Sequence, residues 1–249
     1  MERGPATRLG PVSFARYTSS MPTSNTFLDQ ITNPELRAVI DLCHAEVPNF
    51  EIRFKDASRW MKFLNFFAQI FNKDFMTRYI TTTGPHVYFP SKEYLVAGQD
   101  GLVGVLAHEL VHMKDRARMG DTRYFLQYAF PQILAVLAVF SIFAIWSPWF
   151  LLFLGFLLAL APLPAPGRRD IELDGYTMSM SVSYWQTKNI TDAEIEWYAK
   201  QFSGAAYYFM WPLHGRIVNI FQVRALSIRT GEVLQNPTFK KVYDIVKPR

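Results

Sequence analysis

The sequence predicts a mainly α-helical fold with a small β-sheet, an α+β class, into which a hydrophobic helical hairpin is inserted. Three observations carry that expectation. Apolar residues recur at helical spacing along several segments, among them Asn33 to Val47 and Ala57 to Phe71. The stretch Arg78 to Thr83, followed by Gly84-Pro85 and His86 to Phe89, is instead rich in β-branched and aromatic residues around a turn. Finally, Tyr124 to Gly167 runs for about 44 residues without a charged side chain.

Residues 1–26 carry Arg3, Arg8 and Arg16 among Pro, Ser, Thr and Gly, with no apolar run behind them. They read as a mobile arm rather than a secretory signal. The remaining residues, 27–249, suit a single domain. Its first expected helix, Asn33 to Val47, has Pro34 in the first turn. The second, Ala57 to Phe71, bears a stripe of Trp60, Phe63, Phe66, Phe67 and Phe71, read as core or membrane-surface packing rather than a cofactor box. Two strands follow, Arg78 to Thr83 and His86 to Phe89, with His86 an ordinary strand residue. A third helix is expected from near Gly101, capped by Asp100 and stopped at Gly120, with Lys114, Arg116 and Arg118 at its C-terminal end. After the apolar run, helices are expected over Asp170 to Thr187 and Asp192 to Tyr208. Trp211-Pro212 then breaks the chain before a mixed helical and basic tail.

Composition narrows the function classes. Half of the 249 residues are hydrophobic and 16% are aromatic, which excludes a disordered or low-complexity chain. The single cysteine, Cys43, excludes an internal disulfide and a Cys-rich metal site. The net charge of +5 comes from scattered Lys and Arg, compatible with an anionic membrane surface. Nucleic acid is not an expected partner.

The chemistry-bearing motif is His108-Glu109-Leu110-Val111-His112. On a helix, residues four apart share a face, so His108 and His112 can offer imidazole nitrogens to one Zn²⁺, with Glu109 beside it as a general base. Inside an otherwise apolar helix each of these residues needs a partner, and a metal satisfies them together.

The charge-free run reads as a hairpin at about residues 129–163, broken at Ser147-Pro148 between Trp146 and Trp149. Each arm, roughly 15 to 18 residues, is short for a membrane-spanning helix, so the hairpin is re-entrant or barely spanning. Lys114, Arg116, Arg118 and Arg123 precede it and Arg168-Arg169 follow it, which places both ends at the cytoplasmic face. The alternative is a buried hairpin in a soluble core or a larger assembly.

A hydrolytic zinc usually has three protein ligands. Arg168 to Tyr176 supplies three carboxylates after the hairpin. Glu172 is two residues from Asp170 and from Asp174 and so lies nearly opposite them on a helix, whereas Asp170 and Asp174 share a face. Either Glu172 is the third ligand, or Asp170 is, with Asp174 a hydrogen-bond partner for a ligand imidazole.

A His-Glu-x-x-His helix, an apolar hairpin and a helix opening Arg-Asp-x-x-x-Asp resemble the HtpX and CAAX prenyl protease family of membrane gluzincin peptidases over roughly residues 78–183. The resemblance implies a zincin-like metallopeptidase core, Zn²⁺ held by His108, His112 and Asp170, and Glu109 as the catalytic base. Asp170 stands where the family has a ligand glutamate, and it is preferred over Glu172 because both acidic positions of the family pattern then fall on one helix face. The chain departs from the family in that residue, and no long charge-free segment precedes the motif. Tyr176 and His214 are candidate donors to the reaction's oxyanion. The expected activity is a zinc-dependent endopeptidase associated with a membrane, its catalytic domain facing the cytoplasm and its partners a peptide or protein substrate and the lipid bilayer. Two competing expectations stand beside it: a non-catalytic membrane or assembly protein stapled by zinc, and a soluble scaffold whose hairpin docks on other subunits.

Overall fold

Local chemistry sets the helix boundaries in the computed structural model, which describes residues 27–69, 73–204 and 210–247. The arm expected over residues 1–26, Phe71 and Tyr208 lie outside the described residues. Asn33 accepts a hydrogen bond from the Leu36 amide and Pro34 occupies the first turn, opening α1 (Pro34–Glu46). β1 (Glu51–Phe54), which the sequence reading missed, follows. Ser58 accepts from the Met61 amide and starts α2 (Arg59–Ala68) two residues later than expected. Trp60, Phe63 and Phe66 of its stripe are exposed and so lie outside the core.

The sheet has three strands in the order β1-β3-β2, with β2 at Thr81–Thr83 and β3 at His86–Phe89. β1 runs parallel to β3 and β2 antiparallel to it, so β2 is an outer strand. Ser91 then caps the short α3 (Lys92–Ala97). α4 (Gln99–Met119) begins before the expected Gly101. Asp100 is not its cap: its carboxylate accepts from the Asn33 side chain, while Gln99 accepts from the Thr32 and Asn33 amides and ties α4 to the start of α1. Gly120 ends α4 as expected, at φ 81°, a conformation that favours glycine. α5 (Asp121–Ala129) takes the beginning of the charge-free run.

The hairpin is shorter than expected. Its arms are 3₁₀ helices of 14 and 13 residues, Gln132–Ile145 and Pro148–Leu160. Pro131 and, at the far end, Pro162 and Pro164 exclude longer regular arms. The arms pack on each other through ring contacts such as Phe140 with Phe153 at 5.4 Å and Phe143 with Phe150 at 5.6 Å. Much of their outer surface is open: Ile145, Trp146, Trp149 and Leu158 are each at least 75% exposed. No single described helix is long and apolar enough to cross a membrane, while α5 and the first arm pass that test together but meet at 87°.

Pro166 opens α6 (Pro166–Thr187), four residues before the expected start. α7 (Asp192–Ser203) carries the expected Thr191 cap, and α8 (His214–Thr230) and α9 (Pro237–Val246) complete the chain. α6 divides the interior. Met178, Val182 and Trp185 join α1, α4, β3 and α9 in one core, while Leu173, Tyr176 and Met180 join α7 and α8 in the other. Each fully buried Leu, Val, Ile or Phe contributes about 1.5–3 kcal/mol, so these two faces hold α6 firmly in place. The face left between them looks onto α4.

Candidate metal centre

Two stripes of residues meet where α4 crosses α6. On α4, Gly104, His108 and His112 follow at intervals of four; on α6, Glu172, Gly175 and Ser179 follow at intervals of three and four. Gly104 lies against the Ser179 backbone, and the Ser179 hydroxyl donates to the Gly104 carbonyl at 3.2 Å. Gly175 is the more demanding position. A Cβ there would stand 2.8 Å from two atoms of the His108 ring, so only glycine admits that imidazole. The edge of Tyr176 supports the same ring at a centroid distance of 4.9 Å.

The result is a buried group of His108, His112 and Glu172, the one set of potential metal donors found among the described residues. The two Nε2 atoms are 2.8 Å apart, and Glu172 Oε2 lies 3.5 Å and 3.6 Å from them. Ligand atoms about 2.0–2.1 Å from a tetrahedral ion stand about 3.3 Å from one another, a spacing this triangle brackets. Glu172 Oε1 accepts from the Tyr128 hydroxyl at 2.7 Å, but the buried Oε2 has no hydrogen-bond partner. A buried carboxylate oxygen with an unmet lone pair, facing two imidazole nitrogens, is what a cation would satisfy.

Electrostatics agree. Burial opposes charge on His112, yet the Glu172 carboxylate, reinforced by Glu109 and Asp115, outweighs it and raises the imidazole to about 9. Burial likewise opposes charge on Glu172, and the two histidines still hold its carboxyl well below the usual range. The pocket therefore favours positive charge. The donor set fits Zn²⁺: nitrogen and carboxylate ligands, three in number.

Compared with family models, curated proteins and solved structures, the chain matches none.

Glu109 stands outside the donor group. Its Oε2 accepts from the Thr82 hydroxyl at 2.6 Å, which ties it to the outer strand β2. Asp170, the preferred third ligand, is not brought to this group: its side chain is 55% exposed and pairs with Arg169 at 2.6 Å. Asp174, on the same side as Asp170, pairs with Arg224 of α8 at 3.0 Å and supports neither imidazole. The reason is the helix period, since turning Glu172 inward turns both aspartates out toward arginines. Tyr176 touches His108 through its ring. His214 is held elsewhere, between the Ser203 hydroxyl at 2.7 Å and Glu196 at 3.0 Å.

The sequence reading missed Gly175, Ser179, Thr82 and Tyr128. Glycine and serine three and seven residues after Glu172 were a legible signal, because a ligand helix must have small residues where it meets the His-x-x-x-His face. Thr82 and Tyr128 had none, as their contacts span 27 and 44 residues of chain.

Proposed function

We propose that the chain is a zinc-dependent endopeptidase with a zincin-like core, seated by its apolar hairpin at the cytoplasmic face of a membrane. His108, His112 and Glu172 would hold the ion. The observation that carries this reading is the convergence of those three buried donors around the unpaired Glu172 Oε2, with Glu109 adjacent in sequence but left out of the set.

Zn²⁺ held there by His108, His112 and Glu172 would lower the pKa of a bound water and polarise a carbonyl. Glu109 is the general base: its carboxylate takes the proton of the attacking water and returns it to the departing amine nitrogen. The Thr82 hydroxyl fixes the Glu109 rotamer by occupying one carboxylate oxygen, leaving the other for the proton. Thr82 also places Glu109 beside an outer strand. An extended peptide adding to β2 by main-chain hydrogen bonds would carry its scissile bond past that carboxylate.

A second reading has an observation of its own. His108, Glu109, His112 and Glu172 are all at most 9% exposed, as in a closed structural zinc site. Three donors rather than four favour catalysis, because a structural site usually completes its own tetrahedron. The deciding experiment measures zinc content and peptide hydrolysis together. Glu109→Gln is expected to keep stoichiometric zinc and lose hydrolysis, and a variant that still hydrolyses would sink the peptidase assignment. Glu172→Ala is expected to lose zinc while Asp170→Ala keeps it.

A further inference from the structure

The base of the hairpin is joined to the candidate metal centre by a short chain of contacts. Tyr128, near the end of α5, donates its hydroxyl to Glu172 Oε1 at 2.7 Å. Arg168, one turn before Glu172 on α6, donates from Nε to the Tyr128 carbonyl at 2.9 Å. Its Nη2 also reaches the Gln132 side-chain oxygen at 3.2 Å, and Gln132 is the first residue of the first arm. The guanidinium lies 5.1 Å from the centre of the Tyr128 ring. Next to it, Gly167 abuts Gln127 so closely that a Cβ would come within 2.5 Å of the Gln127 carbonyl oxygen. The chain thus leaves for the hairpin and returns from it through one tight joint. That joint ends on the carboxylate that faces both histidines.

We infer that this joint makes metal affinity depend on how the hairpin is seated, with Tyr128 as the positioning residue that transmits the seating to Glu172. The inference rests on the zinc and membrane readings above. Glu172 has two oxygens with different duties: Oε1 is held by Tyr128 and Oε2 is left facing the imidazoles. Swinging the first arm shifts Gln132, which pulls on Arg168, and Arg168 holds the backbone from which the Tyr128 ring projects. A lipid bilayer fixes the exposed arms, whereas a detergent micelle leaves the angle between α5 and the first arm free to vary. The carboxylate should therefore be held for the metal more rigidly in the bilayer, and a more rigid ligand binds more tightly.

The test uses the full chain and two probes, Zn²⁺ affinity by competition with a chromogenic chelator and the visible absorption of the Co²⁺ form. Wild type, Tyr128→Phe and Arg168→Gln are each measured in detergent and in phosphatidylcholine vesicles, with thermal melts to confirm folding. Wild type is expected to bind Zn²⁺ at least about 5-fold more tightly in vesicles. Tyr128→Phe should weaken binding by about 10- to 100-fold, the range for losing a ligand's hydrogen-bond partner, and alter the Co²⁺ spectrum. Arg168→Gln, which keeps the phenol, should retain the wild-type detergent affinity and lose the vesicle enhancement. Equal wild-type affinity in the two media, or an undiminished enhancement in Tyr128→Phe, overturns the inference while leaving the zinc centre standing. A wild type that binds no zinc in either medium overturns both.

Discussion

Replacing Gly175 with alanine tests the centre at its tightest point. The added methyl would lie 2.8 Å from His108 Cε1 and Nε2 and 3.0 Å from Cδ2, whereas ordinary contact begins at 3.4 Å. The ring must therefore retreat by about 0.6 Å, a displacement at the edge of what a preorganised site tolerates. It cannot simply turn aside, because Tyr176 lies against it and Ser179 Oγ stands 3.5 Å from its Nδ1. Overpacking costs about 1–3 kcal/mol, and alanine returns about 1 kcal/mol of helix propensity over glycine. The net loss of about 0–2 kcal/mol lowers the melting temperature by less than about 8 °C in a chain of this size. Zinc affinity should fall much further in proportion, by about 10- to 100-fold. Chelator competition and a thermal melt on the same preparation separate the two effects. Gly101→Ala is the control, since nothing lies within 4 Å of its Cβ position, and it should leave affinity unchanged. Wild-type zinc affinity in Gly175→Ala would refute the assignment of His108 as a ligand on this face of α6.

Other perturbations address neighbouring parts of the structure. Thr82→Val removes the 2.6 Å hydrogen bond to Glu109 at constant shape, and should reduce kcat by about 10-fold with zinc content intact, as measured in a peptide-cleavage assay. Val139→Asp and Leu154→Asp place charges on open positions of the two arms, 54% and 45% exposed. Facing water, each changes stability by less than about 0.5 kcal/mol. Facing lipid, each costs about 2.5–3.5 kcal/mol, and the protein should shift from the detergent-extracted to the soluble fraction. Glu46 links α1 to α4 and α9 through Lys114 at 2.8 Å and through Lys241, and hydrogen bonds from both lysines hold its carboxyl below the ordinary value. With the folded value depressed, this stabilisation is complete above the unfolded value near 4.5 and is lost as pH falls through the folded one. Glu46→Gln should lower the neutral plateau of a stability-against-pH curve and flatten its acid limb, leaving stability at the acid end nearly unchanged.

Much of the architecture was legible because it is local. Periodicity and caps located α1 and α4 to within a few residues and the start of α7, since Pro34, Gly120 and Thr191 act on their own neighbours. β1 escaped because Glu51-Ile52-Arg53-Phe54 is too short to show a period, and it is a strand only because β3 lies beside it. The choice between Asp170 and Glu172 stayed open for a different reason. Asp170 and Glu172 are equally plausible by composition, and the choice between two helix faces depends on Arg169, Arg224, Gly175 and the apolar neighbours Ile171 and Leu173, which no motif contains. The positive flanks also mean less than their number suggests. Lys114, Arg116, Arg118 and Arg169 are each paired with a carboxylate, which reduces the charge bias at the hairpin base.

Whether the hairpin spans a bilayer turns on backbone form more than on residue count. As α-helices, arms of 14 and 13 residues would reach about 21 and 20 Å, well short of a hydrocarbon core of about 30 Å. With the 3₁₀ rise of about 2.0 Å per residue they reach about 28 and 26 Å, nearly the full thickness. Their hydrogen bonds remain internal in either form, so both satisfy the backbone in lipid. The 3₁₀ form has the poorer bonds. In a bilayer, the longer form would carry Trp146 and Trp149 at the tip closer to the far interface, where amphipathic rings are most favourable. The hairpin's C-terminal end leads into the start of α6, the helix that carries Glu172. The hairpin and the donor group are thus joined through a single stretch of chain, and a donor group built on α4 alone would lack that link.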